Sequence, residues 1–288
     1  MKAEICQLLR PVFGHDVQIQ SATAIGGGCI NTTSVLTLSN GERVFLKQNA
    51  RPPQDFFAAE AKGLKYLSKA EQGPRIPQPL AWQDSFLVLE YLAESIPGPE
   101  FPIRFAQSLA QLHKVSQSHF GLDHDNYIGS SPQKNMLTVN GLDFFREQRL
   151  RSQQELARQS CKLPASTDKK LDTLCDRLGD YLDISGEKPA LLHGDLWSGN
   201  YFPDTDQTPC IFDPAVYFGL READLAMTEL FGRLPQEFYD AYHEAFPLNP
   251  GYSERKDLYN LYHLLNHLNL FGGSYLNSVE QVIQKYIK

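Results

Sequence analysis

The stretch LLHGDLWSGN, residues 191–200, decides how this 288-residue chain is interpreted. A short apolar run leads into a histidine and an aspartate, and an asparagine closes the stretch. A second apolar run, residues 210–212, leads directly into Asp213. Phosphoryl transfer needs a carboxylate that receives the proton of an attacking hydroxyl group, and oxygen ligands that hold Mg²⁺ near the phosphates. Asp195 fits the first role, and Asn200 and Asp213 fit the second, because oxygen-only ligation suits Mg²⁺ and not zinc.

Two features of this segment differ from the corresponding loop of protein kinases. Trp197 stands where those enzymes often carry a lysine. Asp213 is followed by Pro214 and not by Phe-Gly, and because proline restricts the turn we do not expect this aspartate to swing in and out as a switch. A surface loop with a chance aspartate and asparagine is the alternative, which the second run ending in Asp213 disfavours.

Lys47 and Glu60 form a second candidate pair. Lys47 alternates with Phe45 along a strand-like run, and Glu60 lies on the apolar stripe of a predicted helix between Phe57 and Leu64. A carboxylate on a buried face needs a partner, because an unpaired buried charge is costly. A lysine held by this carboxylate would meet phosphate oxygens. Two unrelated surface charges are the alternative.

Three consecutive glycines, Gly26, Gly27 and Gly28, precede a strand-like run. Such a segment lets the backbone approach a ligand closely and turn its N–H groups toward an anion. A flexible hairpin tip explains the same glycines equally well. The segment is not the phosphate loop of P-loop NTPases, because GxxxxGK[ST] is absent from the chain.

The pattern of apolar residues predicts an α+β chain with a small lobe that carries an antiparallel sheet, over about residues 1–92, and a mostly helical lobe over about 93–288. In the first lobe we expect a hairpin that turns at Asn40-Gly41, a helix over about 55–70 and a strand over 85–92. The proline-rich segment 97–102 is the candidate hinge between the lobes. In the second lobe we expect helices over about 142–158 and 169–182, strands over 190–192 and 210–212, and helices from Glu222 onward.

Composition excludes several classes of protein. Lys and Arg total 27 against 34 Asp and Glu, and a net charge of −7 disfavours a nucleic-acid binder. No apolar run is long enough for a membrane helix, and the N-terminus lacks a signal pattern, so we expect a cytoplasmic protein without a membrane partner. The five cysteines form no CxxC pair, which argues against a disulfide framework or a zinc knuckle.

The chain resembles the fructosamine kinases, or ketosamine-3-kinases, of the aminoglycoside-phosphotransferase-like kinase superfamily. The resemblance covers nearly the whole chain and is carried by several motifs. They are the segments 26–31 (GGGCIN), 57–64 (FAAEAKGL), 89–92 (LEYL), 125–129 (DNYIG) with Gln133 and Asn135, 193–200 (HGDLWSGN), 213–215 (DPA), 221–227 (READLAM) and 264–272 (LLNHLNLFG). The Trp-Ser-Gly-Asn ending and the Arg-Glu-Ala-Asp segment are the most specific to this family.

This resemblance implies a bilobal, protein-kinase-like fold and a kinase that uses ATP and Mg²⁺ to phosphorylate the 3-hydroxyl group of a ketoamine. Because phosphate is a good leaving group, such phosphorylation promotes release of the free amine, which is deglycation. The implied catalytic base is Asp195, and the implied metal ligands are Asn200 and Asp213.

The same resemblance implies how the nucleotide is bound. Lys47, held by Glu60, would contact the α- and β-phosphates, and the loop 26–28 would cover them. The backbone around Glu90 and Leu92 would hold the adenine where the lobes join.

Weaker signals suggest further roles. Trp197 is a candidate to flank the acceptor sugar, with packing against the helical lobe as the alternative. Asn126 and Gln133, with Asn135, are candidates to bind acceptor hydroxyl groups, with loop capping as the alternative. Cys29 is a possible redox site, although a small residue in a tight turn is the simpler interpretation.

Other functions remain open at the level of the sequence. A kinase for another small alcohol, such as an aminoglycoside or choline, is one alternative. A nucleotide-binding pseudokinase that acts as an interaction module is another, but it would not need Asp195. A protein kinase fits less well, because few residues separate Asp213 from the next predicted helix. The expected partner is a small-molecule or protein-bound ketoamine.

Overall fold

A computed structural model describes residues 2–26 and 30–287 of the chain. Its N-terminal part is built on a five-stranded antiparallel sheet with strand order β1-β2-β3-β5-β4. The elements of this part are α1 (Lys2–Phe13), β1 (Ile19–Ile25), β2 (Thr32–Leu38), β3 (Arg43–Gln48), α2 (Phe56–Leu67), β4 (Pro79–Gln83) and β5 (Phe86–Glu90).

Alternation along β3 decides which way Lys47 faces. Val44 and Leu46 pack into one core cluster with α1, whereas Phe45 packs into a second cluster with α2. Successive strand residues point to opposite faces of a sheet, so Lys47 lies on the face that α2 covers. The hairpin before β3 turns at Asn40-Gly41 as predicted, and Gly41 has a φ of 86°, a conformation that glycine adopts without strain.

The segment 97–102, the candidate hinge, is anchored to the helical part of the chain, and its role as a hinge stays a prediction. Its glycine is tied to the helical part, because the Gly98 N–H donates to Gln207 Oε1 at 2.7 Å. Just before it, the Ser95 N–H donates to the Pro203 carbonyl at 2.9 Å. Helix α3 (Phe101–Lys114) begins inside the segment and accepts Pro102 in its first turn, where a missing N–H costs nothing.

The remaining chain is mostly helical, with three short two-stranded sheets in the described residues. After α3 its elements are β6 (Asn126–Ile128), β7 (Ser131–Gln133), α4 (Gly141–Phe144), a π-helical segment (Phe145–Arg151), α5 (Ser152–Gln159), α6 (Ala165–Asp176), a 3₁₀ turn (Leu178–Asp180), β8 (Ala190–Leu192), β9 (Tyr201–Pro203), β10 (Pro209–Ile211), β11 (Tyr217–Gly219), α7 (Glu222–Leu230), α8 (Gln236–Ala245), α9 (Tyr252–Phe271), a 3₁₀ turn (Gly273–Tyr275) and α10 (Leu276–Tyr286). The predicted helix over 142–158 is therefore interrupted by π-helical turns, and the one over 169–182 begins earlier and ends sooner.

The short strands deliver the chemistry-bearing residues to one place. Strand β8 ends one residue before His193 and pairs with β11, and β9 starts one residue after Asn200 and pairs with β10, which ends shortly before Asp213. The predicted run 190–192 is confirmed, and the predicted run 210–212 is found one residue earlier. Two antiparallel pairs thus hold both ends of the decisive stretch.

None of the helices in the described residues combines the length and apolar character that crossing a bilayer requires. The cytoplasmic location stays a prediction. The described cysteines, Cys6, Cys161, Cys175 and Cys210, are free thiols.

Candidate active site

Gly194 makes the tight turn of the catalytic loop, defined as residues 193–200, possible. Its φ is 82°, and a Cβ placed on it would lie 2.0 Å from the Ala215 carbonyl oxygen. The Ala215 N–H in turn donates to the His193 carbonyl at 2.9 Å. Only glycine allows the two backbones to approach this closely, so the loop that carries Asp195 is locked against the segment after Asp213.

Asp224 braces the same loop from below. Its carboxylate accepts hydrogen bonds from the N–H groups of His193 (2.7 Å) and Gly194 (2.8 Å), and its Oδ2 atom lies 3.2 Å from His113 Nε2. Burial alone would raise the pKa of Asp224, which is 1% exposed, but His113 and the other donors outweigh burial and lower it. Asp224 is therefore an ionised anchor for the backbone.

His193 orients the loop through its ring. Nε2–H donates to the Phe212 carbonyl at 2.8 Å, and Nδ1 accepts from the Asp195 N–H at 3.3 Å. This pattern requires the neutral Nε2–H tautomer, and burial lowers the pKa of His193 accordingly. His193 therefore connects the backbone at Asp195 with the Phe212 carbonyl.

Asp195 and Asn200 meet at the floor of the cleft. Asn200 Nδ2 donates to the Asp195 carbonyl at 2.8 Å and lies 3.3 Å from Asp195 Oδ2. Burial, together with the nearby negative charges of Asp213 and Asp224, raises the pKa of Asp195 to about 7. A carboxyl group whose pKa lies near the working pH is suited to receive a proton during the reaction.

Lys47, Glu60 and Asp213 form an ion-pair triad across the cleft. Lys47 Nζ lies 2.6 Å from Glu60 Oε1 and also contacts Asp213 Oδ1 directly. Burial lowers the pKa of the Lys47 ammonium, which is 3% exposed, but the charges of Asp213 and Glu60 outweigh burial and raise it. The predicted pairing of Lys47 with Glu60 is confirmed. Asp213 has a φ of 56°, which aspartate tolerates better than most residues.

The donor set fits a hard divalent cation. The described residues contain no cluster of three His, Cys, Asp or Glu side chains that could hold a metal ion by themselves. The carboxylate of Asp213 offers oxygen atoms only. The Nδ2 atom of Asn200 donates to the Asp195 carbonyl, so the Oδ1 atom of Asn200 is the one that can bind a metal ion. Two protein oxygens plus phosphate oxygens is the way Mg²⁺ is commonly held.

One cleft of about 800 Å³ lies between the sheet and the helical part, and it is lined by Lys47, Glu60, Asp195, Asn200 and Asp213. Phe45, Leu89, Glu90 and Leu92 border the cleft on the side of the sheet. Among the described groups, none accepts a hydrogen bond from the Leu92 N–H, so this donor is available to a ligand. Gly26 also lies at the cleft, whereas Gly27, Gly28 and Cys29 lie outside the described residues, so the loop 26–28 and the redox site stay predictions.

Arg75 is a residue of this region that the sequence analysis missed. Its guanidinium lies 2.8 Å from Glu90 Oε1 and 2.8 Å from Asp204 Oδ2, and its backbone bridges to Cys210 in β10. Arg75 therefore connects β5, which borders the cleft, with the β9–β10 hairpin between Asn200 and Asp213. Nothing in the spacing of these residues along the chain indicates this contact.

Trp197 also borders the cleft. Its indole is partly exposed in the cleft and lies over Gly199, where a Cβ would come within 2.3 Å of the ring. The structure thus brings Trp197 next to Asp195 at the cleft and does not bury it against the helical lobe.

Asn126 and Gln133 belong to a buried polar network. Asn126 Nδ2 donates to the Val216 carbonyl at 2.8 Å, and Gln133 Nε2 donates to Asn126 Oδ1 at 2.8 Å and to the Ala215 carbonyl at 3.0 Å. Tyr262 Oη donates to Gln133 Oε1 at 2.7 Å. Gln133 is 1% exposed and does not border the cleft, so its predicted contact with the acceptor is wrong, and its polar atoms brace the segment after Asp213 instead. Asn126 does border the cleft.

A family model described as fructosamine kinase matches the chain over residues 1–288. A protein named as a probable ketoamine kinase, from Synechocystis sp., is 41% identical over 292 aligned residues, which cover 99% of this chain and 96% of that protein. A chloroplastic protein-ribulosamine 3-kinase of Oryza sativa subsp. indica is 37% identical, with 96% of this chain and 81% of that protein covered.

Solved structures agree with these sequence matches. A crystal structure assigned to a fructosamine-3-kinase of Thermobifida fusca superposes with a TM-score of 0.87 at 32% identity, covering 98% of this chain and 97% of that one. A macrolide 2′-phosphotransferase and an aminoglycoside phosphotransferase, both 15% identical, give TM-scores of 0.61 and 0.63, covering 98% and 96% of this chain and 97% and 98% of theirs. At that identity they share the fold alone with this chain.

Proposed function

The chain belongs to the fructosamine kinase family, and from that premise we propose that it transfers the γ-phosphoryl group of ATP to the 3-hydroxyl group of a ketoamine. The observation that carries the proposal is the meeting of Asp195, Asn200, Asp213 and Lys47 in one cleft. A pseudokinase that only binds nucleotides would have no use for a carboxylate at the position of Asp195.

In this proposal each side chain has one task. Asp195 receives the proton of the 3-hydroxyl group as that oxygen attacks the phosphorus, which is general-base catalysis. Lys47, held by Glu60, meets the phosphate oxygens of the nucleotide. Asn200 and Asp213 would hold Mg²⁺, which when bound neutralises phosphate charge. The free N–H of Leu92 and the backbone of Glu90 hold the adenine, and Trp197 flanks the acceptor.

The proposal divides the chain by task. Residues 1–92 supply the nucleotide side of the cleft, with the loop 26–28 over the phosphates. Residues 93–288 supply the catalytic loop and the acceptor side. The acceptor is a ketoamine, either free or attached to a protein.

Phosphorylation at C3 prepares the product for loss of its amine. In the 1,2-enaminol form of the ketoamine, the phosphate at C3 is an allylic leaving group. Its departure as inorganic phosphate leaves a C1 imine, and water hydrolyses that imine to the free amine and a 3-deoxy dicarbonyl sugar. The protein therefore only has to place the phosphate correctly for deglycation to follow.

The proposal is tested with the purified chain, ATP, Mg²⁺ and a panel of ribulose-, erythrulose- and fructose-derived ketoamines of one amine. We expect one ADP to form for each ketoamine that is phosphorylated. We also expect ³¹P and ¹³C NMR to locate the new phosphate on C3. Kanamycin and choline are assayed in parallel, because they are the acceptors that the alternative aminoglycoside and choline kinase functions would use. Phosphate on those compounds and none on any ketoamine would overturn the proposal.

A further inference from the structure

Four aromatic rings that contact one another form a continuous surface in the cleft, which we call the aromatic wall. It consists of Phe231, His267, Phe271 and Tyr275. The His267 ring lies 4.7 Å from Phe231, 5.1 Å from Tyr275 and 5.4 Å from Phe271, measured between ring centroids. Three different elements supply these rings: the end of α7, the last turns of α9 and the 3₁₀ turn after it.

The aromatic wall lies next to the catalytic loop. All four rings border the same cleft as Asp195 and Trp197. The turn that carries Phe231 is also close to this loop, because a Cβ on Gly232 would lie 3.9 Å from Ser198 Oγ. The nucleotide side of the cleft is bordered instead by the sheet and by the segment after it. A substituent on an acceptor whose hydroxyl reaches Asp195 would therefore meet the wall.

The rings of the aromatic wall are not fully buried in the protein core. Phe271 is 50% exposed although it stands at a cleft, and a large apolar ring left open in a concave site is typical of ligand contact. His267 Nδ1–H donates to the His263 carbonyl at 2.8 Å, and burial lowers the pKa of His267, so the ring is neutral. The wall as a whole carries no charge.

The charge of the cleft favours a cation beside the wall. Among the described residues that border the cleft, Lys47 is the one lysine or arginine, and its charge is matched by Glu60 and Asp213. Two carboxyl groups therefore face that one ammonium group, and Asp195 adds a third carboxyl group to the cleft, whereas Glu90 is already paired with Arg75. The amine nitrogen of a ketoamine is a secondary amine that is largely protonated near neutral pH, and aromatic faces attract such cations.

We propose that the aromatic wall is the subsite for the amine substituent of the ketoamine, with an alkylammonium chain lying against Phe271 and Tyr275. The inference rests on the proposed function. It adds that these residues decide which amine substituents of the ketoamine are preferred. The carbons of the chain cover the exposed ring of Phe271, which faces solvent at the rim of the cleft and so lets a longer chain leave the protein.

Two ketoamines of the same sugar test the wall, one with an N-butyl and one with an N-methyl substituent. For the unaltered protein we expect kcat/KM to be about tenfold higher for the butyl compound, mainly through KM, because three more methylene groups are partly removed from water. Phe271→Ala is expected to bring the ratio of the two kcat/KM values close to one, whereas Phe271→Tyr, which keeps the ring, is expected to preserve it.

Val139→Ala is the matched control, because Val139 is an exposed apolar residue that does not border the cleft. It should keep the tenfold ratio. A third ketoamine, in which the butyl chain ends in a carboxylate, should be a poorer substrate than the butyl compound because of the acidic cleft.

The outcomes separate the two proposals. A ratio near one for the unaltered protein, or a ratio that Phe271→Ala leaves at tenfold, would overturn the role of the aromatic wall and leave the proposed kinase function standing. Absence of phosphorylation on both ketoamines would overturn the proposed function and the wall with it.

Discussion

The two sides of the cleft hold their charged residues in different ways. On the helical side, the catalytic loop is anchored through its own backbone, with the N–H groups of His193 and Gly194 bound to the buried carboxylate of Asp224. On the sheet side, pairing of β3 with β2 and β5 fixes the backbone of Lys47, but in the described residues its ammonium group is held by two carboxylates, one of which, Asp213, comes from across the cleft. Asp195, the proposed base, is therefore positioned before any ligand binds, whereas the position of the Lys47 ammonium group depends on partners that a nucleotide and its cation would also contact.

The largest effect is expected from Asp195→Asn on the helical side. The loop stays anchored by Asp224, but the amide cannot receive a proton, so kcat should fall on the order of 10²–10⁴-fold while nucleotide affinity is kept. Initial rates and calorimetric nucleotide titration measure the two quantities separately. Turnover close to that of the unaltered protein would remove the base assignment.

Gly194→Ala tests whether the anchored loop tolerates any side chain. The new Cβ would collide with the Ala215 carbonyl at 2.0 Å, so we expect the free energy of unfolding to fall by about 3 kcal/mol, and activity to fall with it. Gly186→Ala is the control, because Gly186 also has a positive φ (78°) but has no atom within 4 Å of the new Cβ. It should cost only about 1 kcal/mol in chemical denaturation, and equal costs for both variants would contradict the steric argument.

Asp224→Asn weakens the anchor of the catalytic loop and leaves Asp195, the proposed base, unchanged. Replacing a charged acceptor by a neutral one should lower the free energy of unfolding by about 2 kcal/mol near neutral pH. The pKa of Asp224 is lowered in the folded protein, so its contribution is present above the ordinary value of 3.8 and is lost as the pH falls through the folded value. Denaturation curves should therefore differ most between the two proteins near neutral pH and converge in acid. A difference that grows in acid would contradict an ionised Asp224.

Glu60→Gln tests the sheet side. Lys47 keeps its contact with Asp213 but loses one buried carboxylate, so we expect the KM for ATP to rise about tenfold with a smaller change in kcat. Steady-state rates at varied ATP concentration measure this. A change confined to kcat would indicate that Glu60 acts on the chemical step and not on nucleotide binding.

The smallest effect is expected from Arg75→Met. Its two ion pairs, to Glu90 and Asp204, are partly exposed, and exposed pairs contribute about 1 kcal/mol or less. We expect a two- to threefold rise in the KM for ATP and little loss of stability. Arg158→Met, which removes ion pairs to Asp168 and Asp172 far from the cleft, is the control that should leave this KM unchanged. Equal effects of both variants would show that Arg75 has no specific link to the nucleotide side.

Local patterns predicted much of this molecule. The hairpin at Asn40-Gly41 and the strand at residues 190–192 are where the sequence placed them, because turn residues and short apolar runs act over a few positions. The pairing of Lys47 with Glu60 also followed from a local signal, a carboxylate on an apolar helix face. The anchoring of residues 97–102 to the helical part could not be predicted in this way, because the partner, Gln207, is more than a hundred positions away.

The sequence by itself determined which chemistry this chain could carry: a base, two oxygen ligands and a lysine, each placed near the end of a short strand or on one face of an element. Only the tertiary structure decided which of these atoms meet. Lys47 and Asp213 are separated by 166 positions, and Gln133 turned out to brace the segment after Asp213 instead of facing the acceptor. Residue type and spacing report the local conformation of the backbone, whereas contacts between distant residues depend on how whole elements pack against one another.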